Sequence, residues 1–265
     1  EPVIAPDEPF EVVACDNRPL RHLSDSPANH ANATGDTVYH GLVLESDATE
    51  RIYGAEWESL YTTTGNDYVG PNLKALVAEL KADARGAILD HRSGNGGTNV
   101  GSGILWSFAI PRRTISAYYD RAHFEDEEVD LATGLVRFQH AEAAGFADVG
   151  GSNTPTAMPV ALLVTRDVSA SDWLPLGMKG AAPNVKVFGP FETNGGFSTR
   201  YAFGYWLGMS YVMAVGDTFD PTGMSLNGKG VEPDILVLPK QSDLMAGRDT
   251  VYEAALAWVR QELAQ

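Results

Sequence analysis

Cysteine is almost missing from this chain. Cys15 stands alone among 265 residues, which excludes an intrachain disulfide framework. No histidine-bearing motif lies beside it, so it reads as an ordinary thiol. Cations are scarce as well. Lys and Arg number 19 against 35 Asp and Glu, a formal charge of −16, which argues against a nucleic-acid partner because phosphate backbones demand basic side chains. No apolar run approaches the ~20 residues that a membrane span needs. No Gly-Lys-Ser/Thr follows a glycine loop, and the dinucleotide glycine spacing is absent. The histidines show no ligand spacing such as His-Glu-x-x-His, so neither a metal nor an organic cofactor is implied. The chain opens on Glu1, with no Met and no basic-then-apolar leader, and is expected to be a processed form or an excised fragment. With the acidity and low cysteine content, an extracytoplasmic location (periplasmic or secreted) is expected over a cytoplasmic one. What is present is 44% apolar and 20% charged residues, the profile of a globular domain with an ample core.

Residues 1–36 are rich in Pro, Ser, Asn and Ala and read as an irregular extension or linker. A compact core is expected over residues 37–265. Val38 to Leu44 has strand composition. Pro71 to Ala84 is a helix: Pro71 suits its first position, Leu73, Leu76, Val77 and Leu80 repeat at helical spacing, and Gly86 ends it. Gly86 to Asp90 and Pro159 to Val164 are buried strands, each followed by a loop and a helix. Arg113 to Tyr119, Leu135 to Gln139, Val185 to Phe188, Tyr201 to Tyr205, Tyr211 to Val215 and Ile235 to Leu238 are further strand candidates. Glu125 to Asp130 reads as a solvated acidic loop. Thr250-Val251-Tyr252-Glu253 reads as a capping box opening the last helix. Strands alternating with helices predict an α/β fold with a largely parallel sheet and flanking helices.

Two loops stand where open α/β sheets carry their sites, at the carboxyl ends of strands and the amino ends of helices. The first is Asp90-His91-Arg92-Ser93-Gly94-Asn95-Gly96-Gly97, whose glycines can turn backbone N–H groups into a cavity. A tight turn explains it equally well. The second holds Ser169-Ala170-Ser171-Asp172. Ser171 and Asp172 read as helix caps. Ser169 is either a cap or a nucleophile whose oxyanion the next N–H, that of Ala170, would meet.

Three blocks, in order, resemble the carboxyl-terminal processing (tail-specific) serine proteases, the family that includes the tricorn core. They are Ala87 to Gly97, Pro159 to Asp172, and Asp220-Pro221-Thr222-Gly223 through Gly228-Lys229-Gly230-Val231-Glu232-Pro233-Asp234. The likeness extends over roughly residues 37–265. It implies a crotonase/ClpP-like α/β core and a serine endopeptidase acting on polypeptide. Ser169 matches the nucleophile. Ala170 N–H and the N–H of Gly96 or Gly97 match the oxyanion donors.

The family's basic residue has no counterpart. Where the processing proteases carry Gly-Lys-Gly, this chain has Gly189 to Ser198, with Asn194 or Gly195 in the place of the lysine. The tricorn-like branch uses a histidine instead, and among His22, His30, His40, His91, His123 and His140 the likeness favours His40, which precedes the core as the tricorn-like histidine does. His91, beside the glycine loop, and Lys179, on the helix after Ser169, are alternatives. The missing lysine also supports a different class of function, a non-catalytic member that binds peptide or an apolar ligand, as retinoid-binding relatives do. A nucleotide-binding domain is disfavoured by the charge.

Overall fold

The structure, a computed structural model, describes residues 30–31, 37–57, 60, 69–94, 96–120, 127–130, 132, 135–138, 142–149, 153–197, 200–204, 210–214, 216–220 and 222–265. In chain order the elements are β1 (His30–Ala31), β2 (Thr37–Leu42), β3 (Ile52–Trp57), α1 (Val69–Asp83), β4 (Gly86–Asp90), α2 (Asn99–Ala109), β5 (Arg113–Asp120), β6 (Glu127–Asp130), β7 (Leu135–Phe138), β8 (Glu142–Val149), β9 (Val160–Leu163), α3 (Ala170–Met178), β10 (Val185–Gly189), β11 (Arg200–Gly204), β12 (Ser210–Ala214), β13 (Gly216–Phe219), β14 (Ile235–Leu236), α4 (Gln241–Met245) and α5 (Thr250–Leu263).

The central sheet has the order β1-β2-β3-β4-β9-β10-β14. The β1–β2 and β2–β3 pairs are antiparallel, and every pair from β3 to β14 is parallel. A parallel sheet is covered on both faces, so its strands are apolar on both. Here the pleat sorts them. Ala87 and Leu89 of β4, Val160 and Leu162 of β9, and Val185 and Val187 of β10 pack with α1, α2 and α3 on one face. Ile88, Ala161, Leu163 and Phe188 pack with Val251, Tyr252, Ala255, Leu256 and Val259 of α5 on the other. Truncating a fully buried side chain such as Leu89 or Leu162 to alanine is worth roughly 2–5 kcal/mol. The mixed α/β class, the mostly parallel sheet and the flanking helices are thus as expected. Among the described residues no helix is long and apolar enough to cross a membrane.

Four readings change. Ile52–Trp57, unmarked in the sequence, is a wholly buried central strand. Glu127–Asp130 is not an open loop, because it pairs antiparallel with Leu135–Phe138. The cap of α5 is Asp249, one residue before Thr250: its side chain accepts from Val251 N and Tyr252 N, and its other oxygen lies 2.5 Å from Arg92 Nη1. A carboxylate is the better partner for both the helix amino end and a guanidinium. Within residues 1–36, His30 and Ala31 form a short strand against β2, and the rest of that segment falls outside the described residues.

Candidate active site

Strands β4, β9 and β10 are neighbours and parallel, so the loops after them share one end of the sheet. These loops carry Gly96 and Gly97, Ser169, and Thr193 to Gly196.

Ser169 stands at the turn from β9 into α3, half-buried, with φ 61° and ψ −126°. A side chain is rarely held at positive φ, and such strain costs on the order of 1–3 kcal/mol. Only Arg51 shares the feature among the described non-glycine residues. Ser169 stands at the N-cap position of α3, but its hydroxyl makes no capping bond to the helix. Ser171 and Asp172, by contrast, are buried and bind neighbouring loops, so neither is a simple cap.

The glycine loop lies against Ser169. A Cβ built on Gly96 would be 3.2 Å from Ser169 Cβ. Gly96 and Gly97 have φ of 92° and 131°, a backbone shape that favours glycine. Gly96 N–H donates to Ser171 Oγ at 3.0 Å. Gly97 bridges Leu60 through the bonds Leu60 N–H to Gly96 C=O and Thr98 N–H to Leu60 C=O, 3.2 and 3.0 Å. In a parallel bridge of this kind the central residue's own N–H points the other way, away from Leu60. Ala170 opens α3, where the first N–H groups have no partner within the helix.

The third loop is clamped by Asp172. Its Oδ1 accepts from Thr193 Oγ1 at 2.5 Å and Gly195 N at 2.9 Å, and its Oδ2 accepts from Gly196 N at 2.8 Å. Burial raises the Asp172 pKa, and these three donors act against that rise. The residue set against the serine is Gly196, not Asn194 or Gly195: a Cβ there would lie 2.9 Å from Ser169 N. Asp167, fully buried between the loops, leaves no room for a side chain at Gly94. Burial and then Asp172 raise its pKa well above the carboxylate range.

The sequence candidates for the base are engaged elsewhere. His40 sits on β2 opposite Ala55 and is separated from β9 by β3 and β4, about 14 Å at ordinary strand spacing. Its Nδ1 is 2.8 Å from Glu79 Oε2 of α1. His91 is buried, with Nδ1 accepting from Trp57 Nε1 at 2.9 Å and Nε2 3.1 Å from Ser171 O. Burial lowers its pKa to about 4, so the ring is neutral. Lys179 follows the last turn of α3, away from Ser169. There it lies 3.9 Å from Glu232 Oε2 and lines a cleft of about 660 Å³ with Glu192, Asp220 and Lys229. His22, His123, His140, Cys15 and Asn95 are outside the described residues. Arg92 was not singled out from the sequence. It binds Asp90 through Nε at 2.9 Å and Nη2 at 2.5 Å and reaches Asp249, joining the start of the glycine loop to α5. Burial works against its charge, but the two carboxylates outweigh it and raise its pKa. Among the described residues no group of three or more His, Cys, Asp or Glu side chains is placed to hold a metal ion.

The profile of Peptidase family S41 matches residues 61–237, more than half of the chain. The chain belongs to peptidase family S41. This S41 chain is similar in fold to several solved structures. A peptidase candidate from Parabacteroides merdae ATCC 43184 superposes with a TM-score of 0.60 at 23% identity, over 85% of this chain and 64% of that one. A lipoprotein from Streptococcus agalactiae gives 0.54 at 18%, over 85% and 70%. The photosystem II D1 C-terminal processing protease gives 0.50 at 19%, over 73% and 45%. The S41 chain thus spans somewhat under two thirds of the Parabacteroides protein and under half of the D1 protease. No curated protein sequence matches it.

Proposed function

We propose that this S41 chain is a serine endopeptidase that hydrolyses polypeptide by acyl transfer through Ser169. The observation that carries the reading is the strained backbone of Ser169, φ 61°, at a strand-to-helix turn beside Gly96. Catalytic nucleophiles held on such turns have the hydroxyl exposed and the following N–H available. In this reading Ser169 Oγ bonds to the scissile carbonyl carbon and its proton passes to a base. The tetrahedral oxyanion is met by the N–H groups of Gly97 and Ala170. The C–N bond then breaks, the amine leaves with the proton, and water hydrolyses the acyl-serine. Gly96, matched to the same hole by resemblance, contributes through its shape, since its N–H is bound to Ser171. No base is assigned.

The catalytic unit in this proposal is residues 37–265, with a crotonase/ClpP-like core. A processing or tail-specific activity is supported by the likeness to the D1 processing protease. An extracytoplasmic location is supported by the acidic charge and by the likeness to a lipoprotein.

A second reading, a binding protein of the same fold without turnover, draws on one observation: among the described residues no histidine or lysine is hydrogen-bonded to Ser169. The experiment that separates the two is labelling with a fluorophosphonate probe, together with hydrolysis of an unfolded protein such as casein. The peptidase reading expects labelling and cleavage by the wild type and neither by Ser169→Ala. Equal labelling of both, or no cleavage by the wild type, overturns it.

A further inference from the structure

A chain of four side-chain and backbone groups runs from the sheet to the glycine loop. It starts at Trp57, whose indole N–H can only donate. Its partner, His91 Nδ1 at 2.9 Å, must therefore be the unprotonated nitrogen. The ring proton is then on Nε2, and the group 3.1 Å away, Ser171 C=O, can only accept it. One tautomer satisfies both contacts. Ser171 in turn uses its hydroxyl oxygen to accept Gly96 N–H at 3.0 Å. The His91 main chain is anchored as well, because its backbone N–H donates to Leu163 C=O at 3.0 Å and so ties the end of β4 to the end of β9.

The connectivity gives this chain a purpose. Ser171 follows Ala170 and Gly96 precedes Gly97. The bond between Gly96 and Ser171 therefore joins, beside the Val168 N–H to Gly94 C=O bond at 3.1 Å, the two segments that each present one proposed oxyanion donor, one residue away on either side. We propose that His91, fixed by Trp57, is a positioning residue that holds Ser171 in register and thereby sets the separation of the Gly97 and Ala170 N–H groups. This rests on the reading of Ser169 as nucleophile. A neutral, tautomer-locked imidazole suits the task because it is rigid, donates on one side and accepts on the other. Leucine would fill the space and do neither. A displacement of about 1 Å at an oriented site can cost about 10²-fold in rate.

The test compares His91→Leu, His91→Gln, Ser171→Ala and Ser171→Thr in the full chain. Three quantities are read: the first-order rate of fluorophosphonate acylation, the concentration of probe giving half that rate, and hydrogen exchange at the Gly96 amide. Ser171→Ala and His91→Leu should each lower the acylation rate by roughly 10–10²-fold. The half-rate concentration should not move, and Gly96 exchange should quicken. Ser171→Thr keeps the hydroxyl, and His91→Gln keeps a donor near Nε2; both should recover most of the rate. The double variant His91→Leu/Ser171→Ala should be no slower than the slower single one, since both act through one bond. Folded single variants with wild-type Gly96 exchange, or with an unchanged acylation rate, overturn the proposal. Should a leucine variant not fold, Trp57→Phe removes the donor to Nδ1 while keeping an aromatic ring, and Gly96 exchange and the acylation rate then decide. Wild-type values of both in Trp57→Phe overturn the role given to Trp57. Failure of the nucleophile reading looks different: Ser169→Ala labels like the wild type, while Gly96 exchange still reports on the relay.

Discussion

The loops after β4 and β9 are built to one plan and solve one problem differently. Each leaves a buried parallel strand, turns through positive φ, and enters a helix. After β4 the left-handed backbone falls on Gly96 and Gly97, where it costs little. After β9 it falls on Ser169, which carries a side chain and is strained there. In the proposed reading, the strain falls where a hydroxyl would act, and glycine avoids it where only N–H groups and close approach would. The supports differ too. The first loop is held by a neutral imidazole, His91, and by the Arg92 ion pairs; the second is held by carboxyl groups, with Asp172 accepting from the third loop and Asp167 beneath Gly94.

The contrast breaks most sharply at Gly97. Gly97→Pro removes the proposed donor and forces φ to about −65°, where this loop has 131°. Turnover on casein should fall by about 10²–10³-fold or more, roughly 3–4 kcal/mol. A kcat within a factor of three of wild type would show that the first loop supplies no oxyanion donor.

Next in size is the response to pH, where the two supports should act in opposite directions. His91 has a folded pKa of about 4 against 6.5 in the unfolded chain. Between these values the unfolded state binds the extra proton, so this contribution to stability is full above about pH 6.5 and is lost as the pH falls towards 4. Asp167 is raised well above 3.8, so its contribution is present in acid and lost as the pH rises towards its folded pKa. Urea midpoints measured from pH 4 to 8 should therefore fall less steeply in acid for His91→Gln than for the wild type. Asp167→Asn should gain on the wild type as the pH rises. Parallel curves for all three proteins would contradict the assignment of both groups.

The smallest effect isolates the strain. Ser169→Gly should abolish labelling yet raise stability by about 1 kcal/mol, because glycine accepts φ 61° freely. A chemical-denaturation midpoint below the wild type would mean that Ser169 is not strained in solution.

Much of this arrangement was legible in the residues. The runs Gly86 to Asp90 and Pro159 to Val164 announce buried parallel strands because both faces are covered and neither can be polar. The glycines before α2 and the serine before α3 then mark the candidate site by position alone. Strand β3 escaped notice because Gly54 and Glu56 interrupt its apolar signal, and its burial comes from β2, β4 and α1, which no local pattern reports. The histidines show the same limit. His40 and His91 look alike as residues, but the register of β2 sends one to Glu79, while the end of β4 sends the other to Trp57 and Ser171.

The residue order alone determined the α/β class, the two loops and the place of Ser169, since these follow from local burial pattern and from glycine's backbone freedom. Only the tertiary structure decided that Gly196 stands against Ser169, that Asp172 reaches across to the third loop, and that Gly96 N–H is bound to Ser171. Those are contacts between segments up to 75 residues apart. They depend on which strands lie side by side, and strand order arises from the packing of the whole sheet, which no short stretch of sequence contains.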